Sequence, residues 1–333
     1  MRGRRWQVLV VLALVVAASA AAVFGQTAAD EAPGHTAVTA SEKRGAAAPD
    51  PHDPAPLYDR TLKADLLDQL EQPPELVVLG GSRAMRIEPS YIRALTGLSA
   101  FNFAVRNNRP EDAYAIWNYV VSRAPAVKLR TLYLLQTTGF KDTDLHPVLL
   151  DDERFSQWLP RELVNSQKGL NGDAEEAGVP GVNRYTARGC LLYNGYDHRL
   201  ARGVSLRWTL RNYIARLVPQ ISQPSASQDR SHRYFRKLLK ACNGRGVIPA
   251  IVLMPYHPAV LEAFRRVGWQ AQHDDLLDYL HELQRTYDLR VLDYTDIESF
   301  GGDARFFYDG AHLKKENSRR LLEQAVKDAP ECF

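Results

Sequence analysis

Short apolar runs that alternate with helical patterns constrain the fold of this chain more than any other feature of its sequence. Each run has the length of a buried strand, and five occur: Leu76–Leu79, Ala100–Val105, Leu129–Leu135, Ile248–Met254 and Leu289–Tyr294. Strands separated by helices form right-handed crossovers, and therefore a mainly parallel sheet with helices on both faces. The sequence predicts an α/β fold, a doubly wound α/β/α sandwich with a mainly parallel five-stranded sheet.

The helices between and around these runs are predicted from apolar residues at helical spacing and from proline at first-turn positions. They cover Leu57–Leu70, a short helix opening at Pro89, Pro110–Ala124, a helix from Pro258 to Tyr287 with a break near Gly268, and Glu316–Ala329. The stretch of about 140–228 breaks this rhythm and reads as a long irregular insertion. Insertions of this kind on an α/β scaffold usually carry substrate contacts, although a surface insertion without function is the alternative.

The amino terminus carries a targeting pattern. Three arginines within residues 1–5 precede an uncharged run from Trp6 to Phe24, so residues 1–25 are either a secretory signal peptide or a signal anchor. Both alternatives place the rest of the chain outside the cytoplasm, because positive charge stays on the cytoplasmic side. Residues 26–56 are rich in Ala, Pro and Thr and predict a disordered linker to a domain over residues 57–333.

Composition excludes several classes of function. The net charge of +3 is too small to indicate a nucleic-acid partner. The three cysteines, Cys190, Cys242 and Cys332, have no metal-ligand spacing, so we expect no metal and no cofactor. Outside the cytoplasm one cysteine pair can form a disulfide, and unpaired buried thiols are the equal alternative.

The strongest candidate for chemistry is the serine that follows the first apolar run. Leu76–Leu79 ends at Gly80 and Gly81, and Ser82 comes next. In open α/β sheets the ligand crevice lies outside the carboxyl ends of the strands. A hydroxyl presented there by two glycines is a candidate nucleophile.

A matching base and acid occur near the other end of the chain. Asp309 and His312 stand three residues apart in a glycine-containing turn, so the carboxylate can reach Nδ1 and leave Nε2 toward the serine. The same spacing occurs at Asp229/His232 and Asp278/His281, but those pairs fall in helical stretches that predict a solvated face. The sequence therefore favours Ser82, His312 and Asp309 as nucleophile, base and orienting acid.

These motifs, in this order, resemble the SGNH (GDSL-type) hydrolase family over roughly residues 75–327. Residues 80–83 resemble the family's first block, residues 101–107 the second, and residues 308–313 the last. The resemblance implies a doubly wound α/β/α sandwich and acyl-ester hydrolysis or transfer through an acyl-serine. The basic leader and the Gly-Ser-Arg form resemble the membrane-tethered branch related to teichoic acid D-alanyl transfer and alginate acetylation proteins.

The chain departs from the family pattern at two positions of the oxyanion hole. Asn107 stands where the second block has glycine, so the resemblance implies an oxyanion hole made from the N–H groups of Ser82 and Asn107. No asparagine follows the strand Leu129–Leu135, where the sequence is Gln136-Thr137-Thr138. One of these three residues substitutes for it, or the hole is built from backbone alone, or turnover is slow, since losing one donor costs about 100- to 1000-fold in rate.

Four further residues are candidates for substrate binding. Arg83 can bind an anionic group or pair with a carboxylate, and Thr138 follows the third strand. Arg106 lies beside the predicted pocket or in a solvated loop. His257 follows the fourth strand, where it contacts substrate or serves only its own loop.

Two functions from different classes follow. The first is an extracytoplasmic serine esterase or O-acyltransferase, membrane-anchored or secreted, that acts on acyl esters of a cell-envelope glycan or a related small ester. The alternative is a non-catalytic glycan-binding or scaffold subunit with partners in an envelope-modifying complex. Ser82 and His312 side chains about 6 Å apart or more would favour the second function, and a separation near 3 Å the first.

Overall fold

A computed structural model describes residues 59–136, 140–168, 184–221 and 227–333. Its central sheet has five strands: β1 (Leu76–Gly80), β2 (Ala100–Asn102), β3 (Arg130–Leu135), β6 (Ala250–Leu253) and β7 (Arg290–Asp293). All five are parallel, in the order β2-β1-β3-β6-β7. A two-stranded antiparallel hairpin, β4 (Arg184–Tyr185) and β5 (Leu191–Tyr193), stands apart from this sheet.

The sheet is covered by apolar side chains on both faces, which explains why its strands are continuous apolar runs. Alternate residues of β1 separate into two cores: Val77 and Leu79 belong to one, and Leu76 and Val78 to the other. All five residues of β1 are buried. The predicted doubly wound α/β/α sandwich is confirmed.

Helices pack on each face of the sheet. The core of Val77 and Leu79 is completed by α1 (Asp59–Asp68), α3 (Pro110–Arg123), α9 (Asp229–Asn243) and α11 (Trp269–Gln284). The core of Leu76 and Val78 is completed by α2 (Pro89–Thr96) and α12 (Lys315–Asp328). The remaining long connection after β6 begins with α10 (Pro258–Arg265), whose Pro258 fits a first helical turn.

The predicted elements shift at their ends. β2 ends at Asn102, three residues before the end of the apolar run, although the N–H groups of Phe103 and Val105 still donate to the carbonyls of Val78 and Gly80 on β1. The helix predicted from Pro258 to Tyr287 with a break near Gly268 is two helices, α10 and α11 (Trp269–Gln284), and the break is confirmed at Gly268, whose φ is 89°. A left-handed conformation at this position favours glycine, and it explains the predicted break.

The insertion is more regular than its sequence pattern indicates. Its described parts contain α4 (Pro147–Asp151), α5 (Glu153–Ser156), α6 (Arg161–Gln167), α7 (Gly195–Ala201) and α8 (Leu206–Ile221), besides the β4–β5 hairpin. Most of these helices are too short for an apolar period to be visible in the sequence. Only α8 is long enough, and its buried residues follow that period: Leu210, Ile214, Val218 and Ile221.

The predicted leader and most of the predicted linker lie outside the described residues. Among the residues that the structure describes, no helix is both long and apolar enough to cross a membrane. Cys190, Cys242 and Cys332 are separate buried thiols, so the alternative without a disulfide holds. Burial raises their pKa to about 11 for Cys190 and about 12 for Cys242 and Cys332.

Candidate active site

Ser82 lies in a tight turn at the carboxyl end of β1. Gly80 has a φ of 141°, and a Cβ there would lie 2.6 Å from the carbonyl oxygen of Leu134 on β3. The turn is closed by the N–H of Ala84, which donates to the carbonyl of Gly81 at 2.9 Å. Glycine is therefore required at position 80, and the half-buried serine is held at the sheet edge predicted from the sequence.

Asn102 holds this turn from the neighbouring strand. The side chain is fully buried, and its Nδ2 donates to the carbonyls of Ala84 and Ile87 at 2.9 and 2.8 Å. Its Oδ1 accepts from the N–H of Ala104 at 3.0 Å and from Nζ of Lys63 at 3.4 Å. Both Nδ2 donors of the amide therefore fix the segment that follows Ser82, and its Oδ1 ties the same side chain to Ala104 and Lys63.

The loop that carries Asp309 and His312 is a narrow hairpin. Phe307 and Leu313 form an antiparallel bridge, and the N–H of Tyr308 donates to the carbonyl of His312 at 2.8 Å. Gly310 lies in contact with Tyr213 of α8, whose ring would be 2.3 Å from a Cβ at that position. The loop is therefore held between the Phe307–Leu313 bridge, where it begins and ends, and Tyr213 of the insertion. Glycine is the only residue that fits at position 310 beside this ring.

Ser82, His312 and Asp309 form one hydrogen-bonded line. The Ser82 hydroxyl donates to Nε2 of His312 across 3.0 Å, and Nδ1 of the same ring donates to Oδ2 of Asp309 across 2.9 Å. The serine and the histidine are 230 residues apart in the chain. The geometry is that of a nucleophile, a base and a group that orients the base.

Asp309 is held as a carboxylate. Burial alone would raise its pKa, but the adjacent His312 ring and the N–H groups of Ala311 and His312 hold the pKa of this carboxyl well below its usual range. Oδ1 accepts from those two N–H groups at 2.8 and 2.9 Å. A fixed negative charge at this position stabilises the imidazolium that forms when His312 takes a proton.

Asn107, where the resemblance implies a glycine, has an unusual backbone conformation. It is the only non-glycine residue with positive φ in the described part of the chain, at 51°. Asparagine tolerates this left-handed conformation better than most residues, so it can replace a glycine that the backbone requires. No described residue accepts a hydrogen bond from the N–H of Asn107 or of Ser82, which leaves both donors available.

Two side-chain amides lie near the same donors. A Cβ built on Gly81 would be 2.6 Å from Nε2 of Gln136, so this amide lies against the residue that precedes Ser82. The Tyr133 hydroxyl donates to Oδ1 of Asn108 at 3.2 Å, while Nδ2 of Asn108 is buried without a partner. Gln136 was one of three residues considered in place of the asparagine that the resemblance implies, and the structure places its amide against Gly81, next to Ser82 in the chain.

A cavity of about 290 Å³ opens at this point. Its lining includes the chain before the serine, the loop after β2, the end of β3 and the start of the insertion: Gly81, Asn107, Asn108, Arg109, Tyr133, Leu134, Leu135, Gln136, Lys141 and Thr143. Its volume suits a small acyl or sugar group. The cavity therefore supplies a binding space that reaches Gly81, the residue before the candidate nucleophile, while Ser82 and His312 are not among its lining residues.

Arg83 is buried and donates hydrogen bonds to two separate loops. Only 5% of it is exposed, its Nε donates to the carbonyl of Ala311 at 3.3 Å, and its Nη2 donates to the carbonyl of Pro255. Its guanidinium lies 4.3 Å from the centre of the Tyr256 ring. No carboxylate in the described ranges pairs with it, so the side chain joins the His312 loop to the segment after β6.

The other predicted binding residues lie in different surroundings. Nδ1 of His257 accepts from the N–H of Ala259 at 3.1 Å and caps α10. This is the role within its own loop that the sequence offered as the alternative to substrate contact. Burial lowers the pKa of His257 to about 4. Arg106 lies 3.7 Å from Asp59 of α1. Thr138 lies outside the described residues.

The sequence did not predict which residues of the insertion lie at the site or what they contact. The ring of Tyr196 on α7 lies 4.7 Å from the ring of His312, and burial together with the charge and a hydrogen bond of Asp309 raises the Tyr196 pKa. Arg86, from the Ser82 turn, pairs with Asp197, which also accepts from the Tyr308 hydroxyl at 3.0 Å. The signal available was the aromatic cluster at residues 193–198, with no indication of its partners.

The rival Asp-x-x-His pairs have other roles. Asp278 and His281 are exposed, as their helical pattern predicts. His232 differs from its predicted solvated face, because its ring stacks on Tyr279 at 4.0 Å and burial lowers its pKa. Neither pair approaches a candidate nucleophile in the described chain.

Comparison with known proteins returned no family: no protein-family model matches the chain, and no curated protein matches it significantly. In the parts of the chain that the structure describes, no group of three or more His, Cys, Asp or Glu side chains is placed to hold a metal ion. The chemistry open to this chain is therefore inferred from the geometry of Ser82, His312 and Asp309.

Proposed function

We propose that this protein is a serine esterase or O-acyltransferase with Ser82 as nucleophile. The observation that carries the proposal is the line of hydrogen bonds from Ser82 through His312 to a buried Asp309 carboxylate. The 3.0 Å separation of Ser82 and His312 supports catalysis over the non-catalytic binding alternative, for which a gap of about 6 Å or more is expected.

The reaction proceeds in two halves. Oγ of Ser82 attacks the carbonyl carbon of the ester while Nε2 of His312 takes the hydroxyl proton. The tetrahedral intermediate then expels the alkoxide, which receives that proton from His312, and an acyl-serine remains. Water or a sugar hydroxyl next gives its proton to His312 and attacks the acyl-serine. The second tetrahedral intermediate expels Oγ of Ser82, which takes that proton back from His312, and the acyl group leaves as an acid or as a new ester.

The oxyanion is stabilised by donors that surround Gly81 and Ser82. We assign the N–H groups of Ser82 and Asn107 to this role, with Nε2 of Gln136 as the side-chain donor that replaces the family asparagine. Its closeness to Gly81 supports this assignment. Nδ2 of Asn108, which lines the same cavity without a partner, is positioned for the acyl or leaving group.

The cellular setting is proposed from the sequence. The basic leader and the uncharged run that follows it support a location outside the cytoplasm, secreted or anchored at the membrane. The block order supports membership of the SGNH family, in the branch that resembles envelope acyl-transfer proteins. An acylated cell-envelope glycan is therefore the proposed substrate.

Turnover of a small ester tests the proposal. Purified protein is assayed for hydrolysis of p-nitrophenyl acetate beside Ser82→Ala, His312→Asn and the matched control Ser299→Ala, an exposed serine far along the chain. Wild type and control should turn over equally, and both site variants should lose at least about 1000-fold in kcat/KM. Equal activity in Ser82→Ala and wild type would refute the proposal.

A further inference from the structure

The cavity that reaches Gly81, which we call the Gly81 cavity, is lined by positive charge and by unpartnered hydrogen-bond donors. Its described lining includes Arg109 and Lys141 and no carboxylate. Nδ2 of Asn108 and Oγ1 of Thr143, which belong to two further lining residues, are buried without a hydrogen-bond partner. Because buried polar atoms of native proteins nearly always have a partner, two such atoms at one cavity indicate a ligand that supplies oxygen acceptors.

Tyr133 fixes the orientation of the Asn108 amide. The Tyr133 hydroxyl donates to Oδ1 of Asn108 at 3.2 Å, and burial raises the pKa of Tyr133, so the hydroxyl keeps its proton. Oδ1 therefore faces the tyrosine, and Nδ2 keeps two N–H groups that no described residue accepts. The amide offers a ligand donors alone, and a carboxylate oxygen is a strong acceptor for them.

The segment that carries Lys141 and Thr143 is held in place by the start of α9. Oγ of Ser231 donates to the carbonyl of Lys141 at 2.9 Å, and Nη2 of Arg230 donates to the carbonyl of Thr143. The carboxylate of Asp142 accepts from the N–H groups of Arg230 and Ser231, each at 2.9 Å. The backbone of this segment is therefore fixed before a ligand binds, and the negative charge of Asp142 is engaged at α9.

Two carboxylates at the start of α3 are paired with arginines. Oε1 of Glu111 accepts from Nε of Arg230 at 2.7 Å, and burial raises the pKa of Glu111. Oδ1 of Asp112 accepts from Nε of Arg60 at 2.8 Å. The negative charge of both residues is therefore balanced locally, and neither residue lines the Gly81 cavity.

The proposed reaction places the acyl group, and not the leaving group, in the Gly81 cavity. Nε2 of His312 must reach the leaving oxygen to give it a proton, so the leaving group lies on the side of His312. The oxyanion faces the N–H of Asn107 and Nε2 of Gln136, which belong to residues that line the cavity. His312 does not line it, so the acyl chain, the remaining substituent of the carbonyl carbon, extends into it.

We propose that the Gly81 cavity binds an acyl group that ends in a carboxylate, as in a half-ester of a short dicarboxylic acid. Lys141 supplies positive charge, and Nδ2 of Asn108 and Oγ1 of Thr143 donate to the carboxylate oxygens. Charge-assisted hydrogen bonds shielded from water are stronger than neutral ones, and the cavity volume of about 290 Å³ suits a short chain. The placement of the ester rests on the proposed function, but binding of the carboxylate does not need turnover.

Two substrates that differ only in a free or a methylated carboxylate test the inference on full-length protein. They are the p-nitrophenyl half-ester of adipic acid and p-nitrophenyl methyl adipate, and Ser82→Ala protein gives the spontaneous rate. Wild type should have a kcat/KM about tenfold higher for the charged ester at about 50 mM salt, since hydrogen bonds to a charged group contribute more than neutral ones, and less of a preference at about 500 mM. Both substrates are measured on one sample, so the ratio does not depend on the fraction of folded enzyme.

Matched variants locate the contact. Lys141→Gln should lower the ratio of charged to neutral kcat/KM about tenfold, and Thr143→Val about threefold. Lys128→Gln and Thr286→Val remove the same groups from exposed positions outside the cavity lining, and should change the ratio less than about twofold. A cavity that takes a neutral acyl group predicts no difference between the two pairs of variants.

Binding without turnover gives a second measurement. Full-length protein carrying Ser82→Ala is titrated by calorimetry with monomethyl adipate and with dimethyl adipate, and the charged monomethyl ester should bind more tightly. Three results would overturn the inference: no preference of wild type for the charged substrate, equal ratios in Lys141→Gln and Lys128→Gln, or equal affinities for the two methyl esters. Absence of turnover on both nitrophenyl esters would instead count against the proposed function, and the calorimetry would then decide the inference alone.

Discussion

The contact between Gly81 and Gln136 gives a quantitative test of the oxyanion hole. Gln136→Met keeps the length of the side chain and removes its Nε2 donor. Loss of one oxyanion donor costs about 100- to 1000-fold in kcat, or about 2.7–4 kcal/mol of transition-state stabilisation. KM should change little, because the interaction strengthens only as negative charge develops on the substrate oxygen.

A second variant moves the same amide without removing it. In Gly81→Ala the new Cβ would lie 2.6 Å from Nε2 of Gln136, and ordinary contact begins at 3.4 Å. The amide must therefore retreat by about 0.8 Å, far enough to weaken a hydrogen bond whose length is normally about 2.9 Å. We expect a fall in kcat comparable to that of Gln136→Met.

The double variant separates this donor from general damage. If both changes act on one amide, Gly81→Ala should cost little more once Gln136→Met is present, so the two losses will not multiply. The assay is kcat on p-nitrophenyl acetate, with urea midpoints as the control for folding. A kcat for Gln136→Met within about threefold of wild type would refute the assignment and leave a hole made from backbone alone.

Three further changes test the frame around the site. Asn102→Ala removes the hydrogen-bond partner of the Ala84 and Ile87 carbonyls and of the Ala104 N–H, while the Lys63 ammonium keeps the carbonyl of Ala104. The free energy of unfolding should fall by about 3–5 kcal/mol in urea titrations, and a loss below about 1 kcal/mol would contradict the bracing role. Gly310→Ala forces a Cβ into the Tyr213 ring and should reduce kcat/KM. The control Gly203→Ala, at a glycine with φ of 78° and open space around it, should affect turnover little. Equal activities of the two variants would contradict the contact of Tyr213 with the catalytic loop. His257→Asn keeps a capping side chain and removes a histidine whose pKa burial lowers to about 4. Wild type loses stability as pH falls from about 6.5 to about 4, because only the unfolded chain takes up a proton at His257, and the variant should lose about 1–2 kcal/mol less after allowance for partial exposure. Parallel curves of unfolding free energy against pH for the two proteins would contradict this.

The sheet and the order of the site residues were predictable because both depend on local signals. Continuous apolar runs mark strands that are buried on both faces, and glycines before Ser82 mark a turn at the strand end. The pairing of Ser82 with Asp309 and His312 could be predicted as well, since parallel strands bring all their carboxyl ends to one edge.

The contribution of the insertion could not be predicted, because it depends on long-range contacts. Tyr196 and Tyr213 belong to helices whose amphipathic pattern is short or shared with many surface helices. Their approach to His312 and Gly310 follows from how α7 and α8 lie on the catalytic loop, which no local period encodes. The same limit applies to Arg83, whose partners are carbonyl groups that any segment could supply.

Asn107 shows how a departure in sequence can preserve a backbone requirement. The resemblance implies a glycine at this position, and Asn107 has a left-handed backbone conformation there, with φ of 51°. The sequence alone shows only a different residue type. The backbone angle explains why the change is tolerated and why the N–H of Asn107 remains available.

Covalent labelling of Ser82 tests the central claim most directly. Full-length protein is treated with a fluorophosphonate and examined by intact-protein and peptide mass spectrometry, with Ser82→Ala and Ser299→Ala in parallel. Wild type and Ser299→Ala should each gain one adduct, located on Ser82, because His312 and Asp309 activate that hydroxyl. An unlabelled wild type, or a Ser82→Ala protein that is labelled equally, would contradict the account.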